Sequence, residues 1–119
     1  MRKWFWAAPL IGATVGVLLS GCGGGDPYAV AAGRGAPKFK SVCATCHGLN
    51  GKGLPNLGKD LTISQFVRDT SDEDLLTFIK VGRPPMDGNP EMPAKGGDPS
   101  LTDGQISDII AYMRTIQVK

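Results

Sequence analysis

Cys43, Cys46 and His47 are the residues whose spacing constrains their chemistry most, in the pentapeptide Cys43-Ala44-Thr45-Cys46-His47. Two thiols three positions apart on a helical turn can each add to one vinyl group of a porphyrin. The imidazole that follows immediately is then carried beneath the iron as its proximal ligand. This C-x-x-C-H arrangement is the attachment signature of a c-type haem, one group held covalently through Cys43 and Cys46. A thioredoxin-like redox pair needs a strand-then-helix setting in an alternating α/β chain, and no such alternation is present. A zinc site needs a second ligand pair, yet no cysteine or histidine follows His47. A disulfide between Cys43 and Cys46 would close a very tight loop and leave His47 unexplained.

The remaining cysteine belongs to the N-terminus. Residues 1–21 begin with Arg2 and Lys3, run apolar from Trp4 to Leu19 and end in small residues, which describes an export signal. The apolar run falls short of the roughly 20 residues of a membrane-spanning helix, and Pro9, Gly12 and Gly16 weaken it further. Leu19-Ser20-Gly21-Cys22 resembles the lipobox of bacterial lipoproteins, which implies a lipid on Cys22 and cleavage before it. An uncleaved anchor, with Trp4 and Trp6 at the interface, and plain secretion are the alternatives. All three place the domain outside the cytoplasm, where c-type haem is attached. The three cysteines are then used up, one by lipid and two by thioethers. From Cys22 the chain turns Gly/Ala-rich, and residues 22–36 are expected to form a flexible tether, with the haem domain at 37–119.

Composition narrows the function classes. The chain of 119 residues allows one domain, and its 17 glycines and 9 prolines predict long loops. Losing Arg2 and Lys3 with the signal leaves 11 basic residues against 11 acidic. Such a neutral chain lacks the basic surface that neutralises phosphates, so nucleic-acid binding is excluded. A second histidine and a phosphate-cradling glycine loop are both missing, so no acid–base or nucleophilic constellation can be assembled and no enzyme is expected.

His47 is the only histidine, so the iron's sixth ligand must be methionine, lysine, an exogenous molecule or nothing. Met113 falls at a core position of the last amphipathic segment. Met86 and Met92 lie in the proline- and glycine-rich stretch 82–97, an irregular but stiffened loop. A soft thioether there suits haem iron, and His/Met ligation raises the reduction potential.

Region 37–119 resembles the bacterial monohaem cytochromes c of the small class I type. Phe39 is similar to the aromatic of that family's first helix. Gly51-Lys52-Gly53-Leu54-Pro55-Asn56-Leu57 resembles the loop after the haem histidine, with Pro55 matching the proline whose carbonyl accepts the proximal histidine N–H. Met92-Pro93-Ala94-Lys95-Gly96-Gly97, followed by Leu101-Thr102-Asp103, resembles the axial-methionine loop leading into the last helix. The resemblance implies Met92, not Met86, as the ligand, and three to five helices wrapped around one covalent haem.

The pattern along the chain agrees with an all-α fold. A first helix is expected over 38–46. Thr62 can cap a short turn, Ser71 can cap a helix carrying Leu75, Leu76, Phe78 and Ile79, and Gly82 can end it. Thr102 and Gln105 form a capping box before the apolar series Ile106, Ile109, Ile110, Met113 and Ile116. Tyr112 is expected near Phe39, where first and last helices cross.

Together these features describe an electron-transfer protein, lipid-anchored on the periplasmic side of a bacterial envelope. It would be either a free carrier or a subunit of a membrane respiratory complex, passing electrons to redox partner proteins such as a terminal oxidase. Lys52, Lys59, Arg83 and Lys95 are candidate steering charges around the haem edge. The alternative is a five-coordinate haem for gas sensing or peroxide chemistry, which requires both Met86 and Met92 away from the iron.

Overall fold

Asp26 and Pro27 open the first helix. The Asp26 carboxylate accepts the Tyr28 N–H at 3.0 Å, and Pro27 occupies a first-turn position where its missing donor costs nothing. In the computed structural model, which describes residues 23–86 and 88–119, helix α1 spans Pro27–Val42. α2 follows at Ala44–His47, α3 at Gln65–Asp69, α4 at Asp72–Val81 and α5 at Asp103–Thr115, with a 3-10 turn at Ala94–Gly97. Among the described residues there is no sheet, only the isolated antiparallel pairs Leu54–Gly58, Arg83–Met92 and Met86–Asn89. The all-α expectation holds.

The expected tether does not. Residues 27–36 form the first turns of α1, so the helix starts at Pro27 rather than at residue 38. Its small residues serve packing. Ala32, Gly35 and Phe39 share one helical face and are buried against α5. A Cβ on Gly35 would fall 1.8 Å from the Asp108 carbonyl oxygen, so the two backbones meet there with no room for any side chain. Beside that crossing, Arg34 donates through Nε and Nη2 to both carboxylate oxygens of Asp108, at 2.8 and 2.7 Å. Glycine that looks like chain entropy in the sequence is a close-contact surface once α5 is in place. Residues 1–21 and Cys22 lie outside the described residues.

The later elements form largely as their end signals dictate. Ser71 Oγ accepts the Asp74 N–H at 3.1 Å, and Gly82 closes α4 at φ 74°. Thr102 and Gln105 complete the capping box of α5 in both directions. Ser64, not Thr62, caps α3. Thr62 instead sits buried, its hydroxyl donating to Asp60 at 2.6 Å. The core joins Phe39, Leu75, Ile79, Leu101, Ile106 and Ile109 of three helices and one loop. Phe39 and Tyr112 meet with ring centroids 5.2 Å apart and tilted by 56°, as the helix-crossing expectation required. Arg114 ties α5 to the α3–α4 junction. Its guanidinium donates to the Val67 carbonyl, to the Thr70 carbonyl at 2.5 Å and to Asp72 at 2.8 and 3.0 Å. Among the described residues no helix is long and apolar enough to cross a membrane.

Candidate functional site

Cys43 is the hinge between α1 and α2. Its N–H still closes the last turn of α1 on Phe39 O at 2.8 Å, while its carbonyl starts α2 by accepting from His47 N–H at 2.9 Å. The bend sets Cys43, Cys46 and His47 along one cavity of about 650 Å³. That volume is within the roughly 300–1,000 Å³ of clefts that bury a small organic ligand. Apolar side chains dominate its walls, among them Phe39, Val67, Leu75, Ile79 and Leu101.

The loop that follows α2 folds back to orient the imidazole. Gly53 N–H donates to His47 O at 2.7 Å, and Leu61 N–H donates to Gly51 O at 2.7 Å. Gly58 presses against the backbone of α2, where a Cβ would stand 2.4 Å from the Cys46 carbonyl oxygen. That approach brings the next carbonyl, Lys59 O, to 2.9 Å from His47 Nδ1. A carbonyl can only accept, so Nδ1 carries the proton and Nε2 keeps the lone pair for a metal. The acceptor is therefore Lys59 rather than the expected Pro55. Leu54 and Gly58 pair to close a tight turn, leaving Pro55, Asn56 and Leu57 exposed at its tip.

Asp60 holds this loop from below the imidazole's acceptor. Its carboxylate receives the Thr62 hydroxyl at 2.6 Å and the Thr62 N–H at 2.8 Å. The hydroxyl bond, first among several contacts, holds the carboxyl below its usual value despite some loss of hydration. A depressed folded-state value adds stability above the ordinary carboxylate range, and that stability disappears as pH falls through the depressed value. Asp60→Asn should therefore flatten the acid limb of stability below about pH 4. Urea midpoints measured across pH 2–6 on both proteins check this.

The two methionines of the 82–97 loop part company. Met92 lines the cavity and packs against the buried core. Met86 is 51% exposed, paired with Asn89 at the outer end of the loop. Met113 is buried on α5 at its expected core position. Burial pushes the Cys43 thiol up to about 11, with neighbouring Cys46 adding to the shift. Such a thiol stays protonated at neutral pH, unlike the activated thiolates of redox pairs. Among the described residues no group of three or more histidines, cysteines or acids could hold a metal ion alone. Two thiols that can bond a porphyrin covalently and one imidazole with a defined free nitrogen stand along an apolar cavity, which fits a covalent haem.

Comparison with known proteins agrees. Residues 30–113 match the family model described as cytochrome c oxidase, cbb3-type, subunit III. The chain belongs to this family of c-type cytochromes. It is 33% identical over 109 residues to cytochrome c-555 of Chlorobaculum tepidum, covering 92% of this chain and 93% of that one. It is 37% identical over 99 residues to the cbb3-type cytochrome c oxidase subunit FixP of Azorhizobium caulinodans, spanning 82% of this chain and 31% of FixP. The crystal structure of cytochrome cL from Methylophaga aminisulfidivorans superposes with a TM-score of 0.57 at 26% identity, covering 74% of this chain and 54% of that one. The cytochrome is thus a small, all-helical electron-transfer domain whose paired cysteines attach a c-type haem.

Several functional positions of this cytochrome carry no obvious side-chain signal. Lys59 acts through its carbonyl, and Gly58 through having no side chain. Gly82 ends α4 and also admits the methionine loop, since a Cβ there would lie 2.4 Å from Met92 O. Of the four candidate steering cations, two are engaged elsewhere. Lys95 donates to the carbonyls of Pro99 and Leu101 at 3.2 and 2.9 Å, and Arg83 is bound within its own loop.

Proposed function

We propose that this cytochrome carries one haem held by Cys43 and Cys46 and ligated by His47 and Met92, and that it moves single electrons at a membrane. The observation that carries this reading is that Met92 lines the same apolar cavity as His47, while Met86 faces solvent. When bound, the haem supplies a one-electron iron couple. The protein's part would be to hold His47 and Met92 still, so that little rearrangement would accompany electron gain or loss. Lys59 O fixes the tautomer and tilt of His47 and raises its basicity. A thioether ligand and an apolar surround both favour the reduced state and raise the potential. With His47 and Met92 both engaged, no substrate would reach the metal, which favours transfer over gas sensing or peroxide chemistry.

A terminal oxidase of the respiratory chain is the partner supported by the FixP and cbb3-type matches. As a free carrier or as a subunit, the cytochrome would deliver electrons on the periplasmic face of the bacterial envelope. Leu19-Ser20-Gly21-Cys22 supports a lipid on Cys22 after removal of residues 1–21. Two or more acyl chains would exceed the marginal hold of one. Mass spectrometry of the native cytochrome should give an acylated N-terminal peptide beginning at Cys22. An intact Met1 end would overturn the lipid anchor.

Ligation is tested optically on the haem-loaded chain. The oxidised protein is expected to show a near-infrared sulfur-to-iron band that vanishes in Met92→Ala and survives in Met86→Ala. The reduced wild type should not take up carbon monoxide. A high-spin spectrum with prompt carbon monoxide binding would contradict the carrier reading.

A further inference from the structure

The loop that presents Met92 has a construction problem. Its two arms, 83–86 and 89–92, are joined at the base by Arg83 and Met92, which exchange backbone hydrogen bonds of 2.7 and 2.8 Å. Near the tip, Met86 and Asn89 exchange bonds of 3.1 and 2.9 Å. Between these pairs lie Pro84 and Pro85 on one arm and Pro90 and Glu91 on the other. Three of those four residues have no N–H, so the middle of the loop has no backbone rungs between the two pairs.

Arg83 supplies the missing donors. Its Nη1 donates to Pro84 O at 3.0 Å, and its Nη2 donates to Pro90 O at 2.9 Å. One planar fork thereby bridges the two arms, which the compact ammonium of lysine cannot do with the same geometry. We propose that Arg83 is a positioning residue for Met92, its guanidinium substituting for the rungs missing between the two backbone pairs and holding the thioether against the cavity. The inference rests on the reading that Met92 is an iron ligand. It assigns Arg83 a role different from the steering charge its sequence position implied.

The test uses the full haem-loaded chain and imidazole as a competitor for the methionine's position on the oxidised iron. Loosening the loop should weaken the methionine's hold and let imidazole bind more tightly. Both Arg83→Ala and Arg83→Lys should raise imidazole affinity about tenfold over wild type, the scale of one charged hydrogen bond lost. Arg114→Ala, which releases carbonyls far along the chain from this loop, should lower the unfolding midpoint while leaving imidazole affinity unchanged. If Arg83→Lys keeps the wild-type affinity, charge rather than bridging is responsible and the proposal fails. It fails equally if Arg83→Ala has no effect, or if Arg114→Ala raises affinity as much. Met92→Ala separates this from the ligation reading: should the sulfur-to-iron band persist in that variant, the ligand assignment is wrong, whatever Arg83 does.

Discussion

Gly35→Ala is expected to destabilise the haem-loaded cytochrome by about 3 kcal/mol, although alanine is ordinarily the better helix former. In an open helix the change would stabilise by roughly 0.5–1 kcal/mol, because glycine loses more chain entropy on folding. At this position the new methyl would stand 1.8 Å from Asp108 O and 2.8 Å from Ile109 N, all backbone atoms that no rotamer change can move aside. α1 and α5 must separate, exposing Phe39 and Ile109 and stretching the Arg34–Asp108 pair. Gly33 provides the internal control. It lies in the same helix, and a methyl added there would meet nothing within 4 Å, so Gly33→Ala should stabilise by about 0.5–1 kcal/mol. Guanidinium unfolding of the two variants should therefore shift in opposite directions. Equal, near-zero shifts would mean that residues 27–36 are a tether after all.

Gly82→Ala should be nearly as costly and should register at the iron as well. Gly82 has φ 74° and ψ -168°, a region essentially confined to glycine that costs other residues roughly 1–3 kcal/mol. A Cβ would also lie 2.4 Å from Met92 O, 2.6 Å from Ala94 N and 2.8 Å from Pro93 C. The methionine segment must retreat from the end of α4, and Met92 moves with it. A loss of about 3 kcal/mol is expected, together with a weakened sulfur-to-iron band and new carbon monoxide uptake in the reduced state. A destabilised variant with an unchanged band would show that the clash is relieved elsewhere than at Met92.

These two glycines also show where sequence reading reaches its limit. The haem motif is legible because covalent attachment demands fixed residue types at fixed spacing, and the structure sets Cys43, Cys46 and His47 on one cavity. Capping at Ser71 and Thr102 is legible because the interaction spans three residues. Gly35 is different. Its meaning depends on Asp108, which is remote in the chain, so composition alone makes residues 22–36 look like a tether. The signal that was available was Asp26-Pro27, a cap and a first-turn proline. Lys59 escapes notice for another reason: a backbone carbonyl has no residue preference, and only the turn made by Leu54 and Gly58 delivers it to His47. Arg83 and Lys95 read as surface charges because their partners are carbonyls of a proline-rich loop, which a charge count does not register.

The most direct test of the central claim is which methionine touches the iron. Selective ¹³C-methyl labelling of methionine in the reduced, haem-loaded cytochrome should give one methyl resonance shifted far upfield by the porphyrin ring current. That resonance should be absent from Met92→Ala and unchanged in Met86→Ala. A ring-current-shifted methyl that survives Met92→Ala and disappears in Met86→Ala, or a spectrum with no shifted methyl at all, would contradict His47/Met92 ligation.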